Sequence, residues 1–520
     1  MRILTSAPLF SLPVHPWLFV LLPIVSTYAA NLAQAQMHEM VVACGMAVAA
    51  TTVLYGAALV LFRDTRKAAL LVSAFLLLFL VYDTLFGRIE HWQLIGWRVG
   101  RHRYALLACY GLLVALAAIL YRTRRPLTTL TGLANVVTAG MLLVPIGTVA
   151  AKYAMPGVAA GAGAAVSPLP DSSRRADPQP DIYYLVFDRY GDASTIRNTY
   201  GYDNADFYRY LAGKGFFIAE GSRSNYLKTA QSLASSLNLT HLDRAALDVP
   251  SDSAEWAPIY DLLADHRLGR FLKAQGYSYV HAGSWWWPTR KSANATHNIN
   301  SYPFTPRPLM VLLDSGLVAP VFRRTASPRL DDRRQQWSRV NRDLAALERV
   351  PARSGPKFVF AHVLLPHPPY VFNRDGSFLS ADSAARISEH ESYVNQLVAT
   401  NRKIVALIDR ILVDSAAPPI IVVQGDEGPY PGGTKKETFN WHTATRGQLL
   451  DKTGILNAYY LPGRTAASVP ASITPVNSFR VILNEYFGTE MPLLPDRIYA
   501  HESDLRPYRF VDVTDQLKGN

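Results

Sequence analysis

Asp181-Ile182-Tyr183-Tyr184-Leu185-Val186-Phe187 runs without a break into Asp188-Arg189-Tyr190-Gly191, and Pro419-Ile420-Ile421-Val422-Val423-Gln424 runs into Gly425-Asp426-Glu427-Gly428. Each is a short apolar stretch rich in β-branched and aromatic residues, the pattern of a strand covered on both faces, and each ends in acids. Further runs of the same kind, at Tyr277–His281, Lys357–Leu364 and Leu456–Leu461, alternate with helical segments at Ser194–Ala212 and Ser388–Val413. Alternation of strand and helix predicts a doubly wound α/β sheet. Ligands of such sheets sit beyond the carboxyl ends of the strands, where Asp188, Asp426 and Glu427 fall.

Outside this region the chain reads differently. Of its 520 residues, 49% are hydrophobic and 18% charged. Five apolar runs, at 12–33, 40–62, 68–87, 104–121 and 127–150, have the length a bilayer requires. The loops Arg63-Asp64-Thr65-Arg66-Lys67 and Arg122-Thr123-Arg124-Arg125 are basic, whereas Asn31–Glu39 has no Lys or Arg. Positive loops stay in the cytoplasm, so five spans predict a cytoplasmic N-terminus and an exported C-terminal region. The stretch Gly87–Arg103 disagrees, being basic where it should be external, and its Trp92 and Trp97 suit a helix lying at the interface. Arg2 with Ala33-Gln34-Ala35 also admits a cleavable signal peptide. Asp83 is either an intramembrane acid or a helix-end residue near the interface.

Residues 1–152 hold 12 of the 52 basic residues and 4 of the 40 acidic ones, a net +8 of the +12 total. The basicity therefore flanks the membrane, and no nucleic-acid partner is expected. Both cysteines, Cys44 and Cys109, lie in apolar runs, so residues 153–520 can form no disulfide. The chain divides into a membrane domain over residues 1–152, a Gly/Ala/Pro/Ser-rich tether over 153–180 and a catalytic domain over 181–520.

Between the two acid-ended strands, Asn225-Tyr226-Leu227-Lys228-Thr229-Ala230-Gln231-Ser232 reads as a turn entering a helix of small residues. A helix start suits an anion, and a hydroxyl there is a candidate nucleophile, although such a residue is also a common helix cap. A strand-end Asp is likewise often only a turn former. Phe360-Ala361-His362-Val363-Leu364-Leu365-Pro366-His367-Pro368-Pro369-Tyr370 sets a histidine inside a strand, read as a core residue or a site residue, and a second before a Pro-aromatic run.

Strand-acid, hydroxyl at a helix start, His before Pro and an aromatic, and a strand ending in two adjacent ligands together resemble the alkaline phosphatase and sulfatase superfamily. With the preceding spans, the chain is similar to lipoteichoic acid synthases and phosphoethanolamine transferases of bacterial inner or plasma membranes. The resemblance implies a metal shell of Asp188, Thr229, Asp426 and Glu427, with Thr229 also the nucleophile that takes up a phosphoryl group. It assigns His367 to the substrate phosphate or leaving group, and His281, Trp287 and Arg290 to a glycerophosphate-like head group. His442 stands near where some relatives place another histidine, or is a plain surface residue. The run Trp285-Trp286-Trp287 could instead anchor at the bilayer surface.

Glu427 stands where such families have His. An all-oxygen shell favours one Mn²⁺ or Mg²⁺, or Ca²⁺, over Zn²⁺, and leaves open a lapsed enzyme acting as a membrane-tethered scaffold. Sulfatases proper need Cys or Ser within Cys/Ser-x-Pro-x-Arg, whereas Thr229 is followed by Ala230 and Gln231. The resemblance implies a phosphotransferase or phosphodiesterase acting on a membrane lipid or cell-envelope glycan, with a hydrolase of soluble phosphate or sulfate esters as the other reading. It says nothing of oligomeric state.

Overall fold

Strand Ile182–Phe187 (β1) is buried at all six positions, as a strand covered on both faces must be. It is the middle strand of a seven-stranded sheet in the computed structural model, which describes residues 12–32, 37–94, 97–98, 100–154, 169–170, 179–242, 249–300, 331–432, 439–465 and 468–518. The other strands are Phe217–Ile218 (β2), Ser278–Ala282 (β3), His297–Ile299 (β4), Lys357–Val363 (β5), Ile420–Gly425 (β6) and Asn457–Tyr460 (β7). Their order is β2-β7-β6-β1-β5-β3-β4. All pairings from β6 to β4 are parallel, while β7 runs antiparallel to both of its neighbours. The sheet is therefore mixed rather than purely parallel.

Register decides what meets at the sheet's carboxyl edge. Phe187 pairs with Gly425 on one side and with Val363 on the other, so Asp188 and Asp426 leave their strands at the same level. Polar side chains inside the sheet are paired across strands: Tyr184 donates to Gln424 Oε1 at 2.6 Å, and Gln424 to Asn457 Oδ1 at 2.8 Å. One face is covered by helix Glu389–Asp414, whose Leu397, Ile404, Leu407, Ile408 and Ile411 recur at helical spacing in the core. The segment expected as one helix over Ser194–Ala212 is two, Ala193–Asn198 and Ala205–Gly213, because the chain turns at Gly201 with φ +63°. A C-terminal hairpin, Tyr499–Ser503 (β8) with Arg506–Asp512 (β9), lies outside the strands read from the sequence.

The described residues fall into two compact units, one reaching 154 and the other spanning 169–300 and 332–518. In the first, four helices are long and apolar enough to cross a membrane: Met37–Phe62, Thr65–Ile89, His102–Arg122 and Thr128–Ala151. The first expected span is the 16-residue apolar helix His15–Ala30, about 24 Å long against a hydrocarbon core of about 30 Å. Its start is tied to neighbouring helices, His15 N–H donating to Asn135 Oδ1 at 2.9 Å and His15 Nδ1 lying 2.6 Å from Ser73 Oγ. Among the described residues of Gly87–Arg103, no helix stands between the one that ends at Ile89 and the one that begins at His102. Gln93–Leu94 and Trp97–Arg98 pair there as short antiparallel strands. Asp83 is exposed near the end of its helix. The signal-peptide reading and most of the 153–180 tether lie outside the described residues.

Candidate metal centre and nucleophile

The loop after β1 and the loop after β6 are bound to each other. Asp188 N–H donates to Val363 O at 3.0 Å, and Arg189, in the left-handed region at φ +61°, turns its N–H to Asp426 Oδ1 at 3.0 Å. Helix Thr229–Asn238 (α1) is buried at every residue from Ala230 onward, so its hydroxyls must find partners inside. Ser232 Oγ donates to Asp426 O at 2.6 Å and Gln231 Nε2 to Pro507 O at 2.8 Å. Asn225 ties the entering strap to Arg497 O and Val476 N. These bonds set Thr229, at the start of the helix, beside the loop that carries Asp426, where its hydroxyl works against the burial that raises the Asp426 carboxyl.

Asp188, His362 and Asp426 are each buried, and one ligating atom from each lies within 4.8 Å of the others. Asp188 Oδ1, His362 Nε2 and Asp426 Oδ2 have no hydrogen-bond partner among the described residues. Buried polar atoms left unpaired and converging on one point are what a divalent cation requires. Burial alone would raise Asp188, but His367, His362 and Arg189 outweigh it and hold the carboxyl below its ordinary value. Asp426 goes the other way: burial, then Asp188 and Glu427, push it well up, against the Arg189 N–H and the Thr229 hydroxyl.

A consequence is testable. Metal-free Asp426 keeps its proton to a higher pH than a free carboxyl, and a cation needs it ionised, so apparent affinity should climb with pH by up to about tenfold per unit while that proton is displaced. Calorimetric titration with Mn²⁺ at pH 6 and pH 8 should show tighter binding at pH 8. Equal affinities would contradict a metal-free Asp426 that holds its proton across that range.

The cluster holds Asp188 and Asp426 of the expected set and adds His362. Glu427 meets two buried cations through one oxygen, Lys452 Nζ at 2.8 Å and Arg189 Nε at 3.1 Å from Oε1, while its Oε2 is buried with no hydrogen-bond partner among the described residues. Both cations also lie over the Tyr430 ring, at 4.2 and 4.6 Å. Burial pulls Lys452 down to about 8 against the opposing pull of Glu427. His362, inside β5, adds an imidazole nitrogen to the two carboxylates of the cluster. Nitrogen donors widen the range of suitable ions toward Zn²⁺ beside Mn²⁺.

His367 is partly exposed, and burial together with the Arg189 charge brings it down to about 4. Its Nδ1–H donates to the Pro368 carbonyl, which leaves the Nε2 lone pair available. His281 touches no open space: it is 2% exposed, with Nδ1 2.9 Å from Tyr279 Oη and Nε2 2.8 Å from Thr289 O. Trp287 opens the turn Trp287–Thr289 and packs edge-on against Tyr260 at 5.6 Å. Arg290 N–H closes that turn onto Trp287 O at 3.0 Å. His442 stacks on Trp441 at 3.7 Å and approaches Glu502 O, away from the three-residue cluster. Arg189 and Lys452 were missed from sequence. A lysine in the last turn of a short helix carries no pattern that reveals its burial.

No curated protein matches the chain. Among solved structures, the C-terminal periplasmic domain of EptC from Escherichia coli in complex with zinc is similar at 12% identity, over 67% of this chain and 96% of that one, with a TM-score of 0.44. The integral membrane lipooligosaccharide phosphoethanolamine transferase A from Neisseria meningitidis is 11% identical over 92% and 95%, with a TM-score of 0.39. A protein of the alkaline phosphatase superfamily from Vibrio parahaemolyticus is 11% identical over 65% and 76%, with a TM-score of 0.41. The Sulfatase family model matches residues 180–468, more than half of the chain. With that match, and with its acids gathered at the carboxyl edge of the sheet, the chain is a sulfatase-like enzyme and belongs to the sulfatase family.

Proposed function

We propose that this protein is an extracytoplasmic phosphotransferase or phosphodiesterase that acts on a lipid- or glycan-linked head group through a phosphothreonine at Thr229. The observation that carries the reading is a hydroxyl at the start of a helix that Ser232 ties to the Asp426 loop, beside a buried cluster in which Asp188 Oδ1, His362 Nε2 and Asp426 Oδ2 are unpaired. Asp188, His362 and Asp426 would hold the ion, with Thr229 as a further ligand. When bound, a divalent ion lowers the pKa of a hydroxyl and neutralises phosphate oxygens. Three carboxylates, the Arg189 and Lys452 cations and one divalent ion leave a single positive charge, which matches a phosphodiester monoanion.

In the first half-reaction Thr229 Oγ bonds to phosphorus and the bond to the leaving alcohol breaks, the Thr229 proton passing to that alcohol. In the second, the acceptor hydroxyl bonds to phosphorus, the Thr229 Oγ–P bond breaks, and the acceptor's proton returns to Thr229. His367, whose Nδ1–H is taken up by Pro368 O, would carry that proton on Nε2. Trp287 and Arg290 supply the wall and the cation for the head group.

The membrane domain over residues 1–152 and the tether over 153–180 would hold the catalytic domain at the outer face of the membrane, where a lipid substrate is presented. A reporter fused after residue 180 should be active only outside the cytoplasm. Activity inside would contradict the assigned side. Full-length protein in detergent, given Mn²⁺ and phosphatidylethanolamine, should release or transfer the phosphorylated head group. Turnover of an aryl sulfate with no turnover of any phosphodiester would overturn the reading.

A further inference from the structure

We propose that Thr289 is a positioning residue that presents His362 Nε2 to the divalent ion, and that a one-way chain of buried hydrogen bonds holds Thr289 in place. The proposal rests on the reading that Asp188, His362 and Asp426 hold that ion. Thr289 Oγ1 lies 2.8 Å from His362 Nδ1 and 3.0 Å from Ser284 Oγ, and Thr289 is 1% exposed. The contact takes up one ring nitrogen of His362 and leaves Nε2, 3.6 Å from Asp188 Oδ2, facing the cluster. A ligating histidine normally has its other ring nitrogen fixed in this way, by a partner that sets tautomer and ring orientation.

The direction of every bond behind Thr289 follows from its two ends. In helix Arg267–Ala274, Gly269 N–H can only donate, and it does so to His266 Nδ1 at 2.9 Å. A neutral His266 then carries its proton on Nε2 and gives it to Tyr279 Oη at 2.9 Å. Tyr279 in turn gives its own to His281 Nδ1 at 2.9 Å. His281 is left with Nε2–H, and Thr289 O, a carbonyl able only to accept, stands 2.8 Å away. No link can be reversed without leaving two donors or two acceptors face to face. His266 and His281 are brought down to about 3 and about 4, chiefly by burial, which agrees with neutral rings throughout.

Close backbone approaches fix the two ends. A Cβ on Gly269 would stand 2.7 Å from His266 Cε1, and one on Gly283 would stand 2.1 Å from Arg290 O. The Trp286 ring meets His362 edge-on at 5.9 Å. With an ion on Nε2, His362 Nδ1–H donates to Thr289 Oγ1 and Thr289 donates onward to Ser284. His281 thereby acts through Thr289 rather than on substrate.

The test uses the full chain in detergent with Mn²⁺ as probe, its affinity read by competition with a chelating dye and its metal-free melting recorded alongside. Thr289→Val keeps the shape and loses the hydroxyl, whereas Thr289→Ser keeps the hydroxyl and loses the methyl. Thr289→Val should bind Mn²⁺ about 10–100-fold more weakly, with Thr289→Ser restored to near wild type. Should Thr289→Val not fold, Thr289→Ala against Thr289→Ser makes the same comparison, since both lack the methyl. Wild-type affinity in Thr289→Val or Thr289→Ala, or a loss in Thr289→Ser as large as theirs, would overturn the positioning role alone. A wild-type protein that binds no Mn²⁺ would overturn the metal reading together with it.

Discussion

Thr229→Ala should fall to background turnover, at least about 10³-fold below wild type, while its melting temperature stays close to wild type. The hydroxyl is partly exposed at the first position of α1, and the helix is held by Ser232, Gln231 and the buried face beyond them. A hydroxyl at a helix start contributes about 0.5–2 kcal/mol as a cap, and here the capping position itself is Lys228, which makes no side-chain cap. Little stability is therefore at stake. Thr229→Ser keeps a nucleophile and should retain measurable activity. Full turnover by Thr229→Ala would end the covalent scheme.

Glu427→Gln should have a large effect of a different kind. It leaves Lys452, buried at 1% side-chain exposure, without its carboxylate, and breaking a buried pair by removing one partner costs about 3–5 kcal/mol. The expected result is a marked drop in the melting temperature of the metal-free protein, with Mn²⁺ affinity of the folded fraction within a few-fold of wild type. Adding Lys452→Met should recover some of the loss, because a buried pair replaced whole is far less costly than one half removed. Unchanged melting with abolished Mn²⁺ binding would instead make Glu427 a ligand. Asp426→Asn is the opposite control: it removes a ligating oxygen's charge and should abolish Mn²⁺ binding and turnover together.

The strands that carry the chemistry were legible because their signal is local. Ile182–Phe187 and Ile420-Ile421-Val422-Val423 are short unbroken apolar runs, and their length, β-branched content and flanking acids and glycines separate them from a buried helix. The antiparallel course of Asn457–Tyr460 was not legible, since direction depends on a connection whose path is set by packing. Phe217–Ile218 and His297–Ile299 are too short to carry a period.

Within the site the acids at strand ends could be placed from sequence, because the register of parallel neighbours brings Asp188 and Asp426 level. The presence of His362 in the cluster could not. Asp426 and Glu427 are adjacent, and which of them faces the cluster depends on where Arg189 and Lys452 come to rest, one far upstream and one on a later helix. The inward turn of His362 depends on the alternation of β5 and on Thr289, 73 residues earlier. His281 was readable as important but not as a link in an internal chain, for a buried histidine and one lining a pocket have the same sequence appearance.

The most direct test of the central claim is intact-mass and fragment analysis of full-length protein mixed with Mn²⁺ and a phospholipid, then quenched in acid. The covalent scheme predicts a mass increase equal to the phosphorylated head group less one water, localised to Thr229 and absent from Thr229→Ala. A wild-type protein that binds Mn²⁺ and turns over substrate with no adduct on Thr229 at any quench time, or one that carries the adduct on another residue, would contradict it.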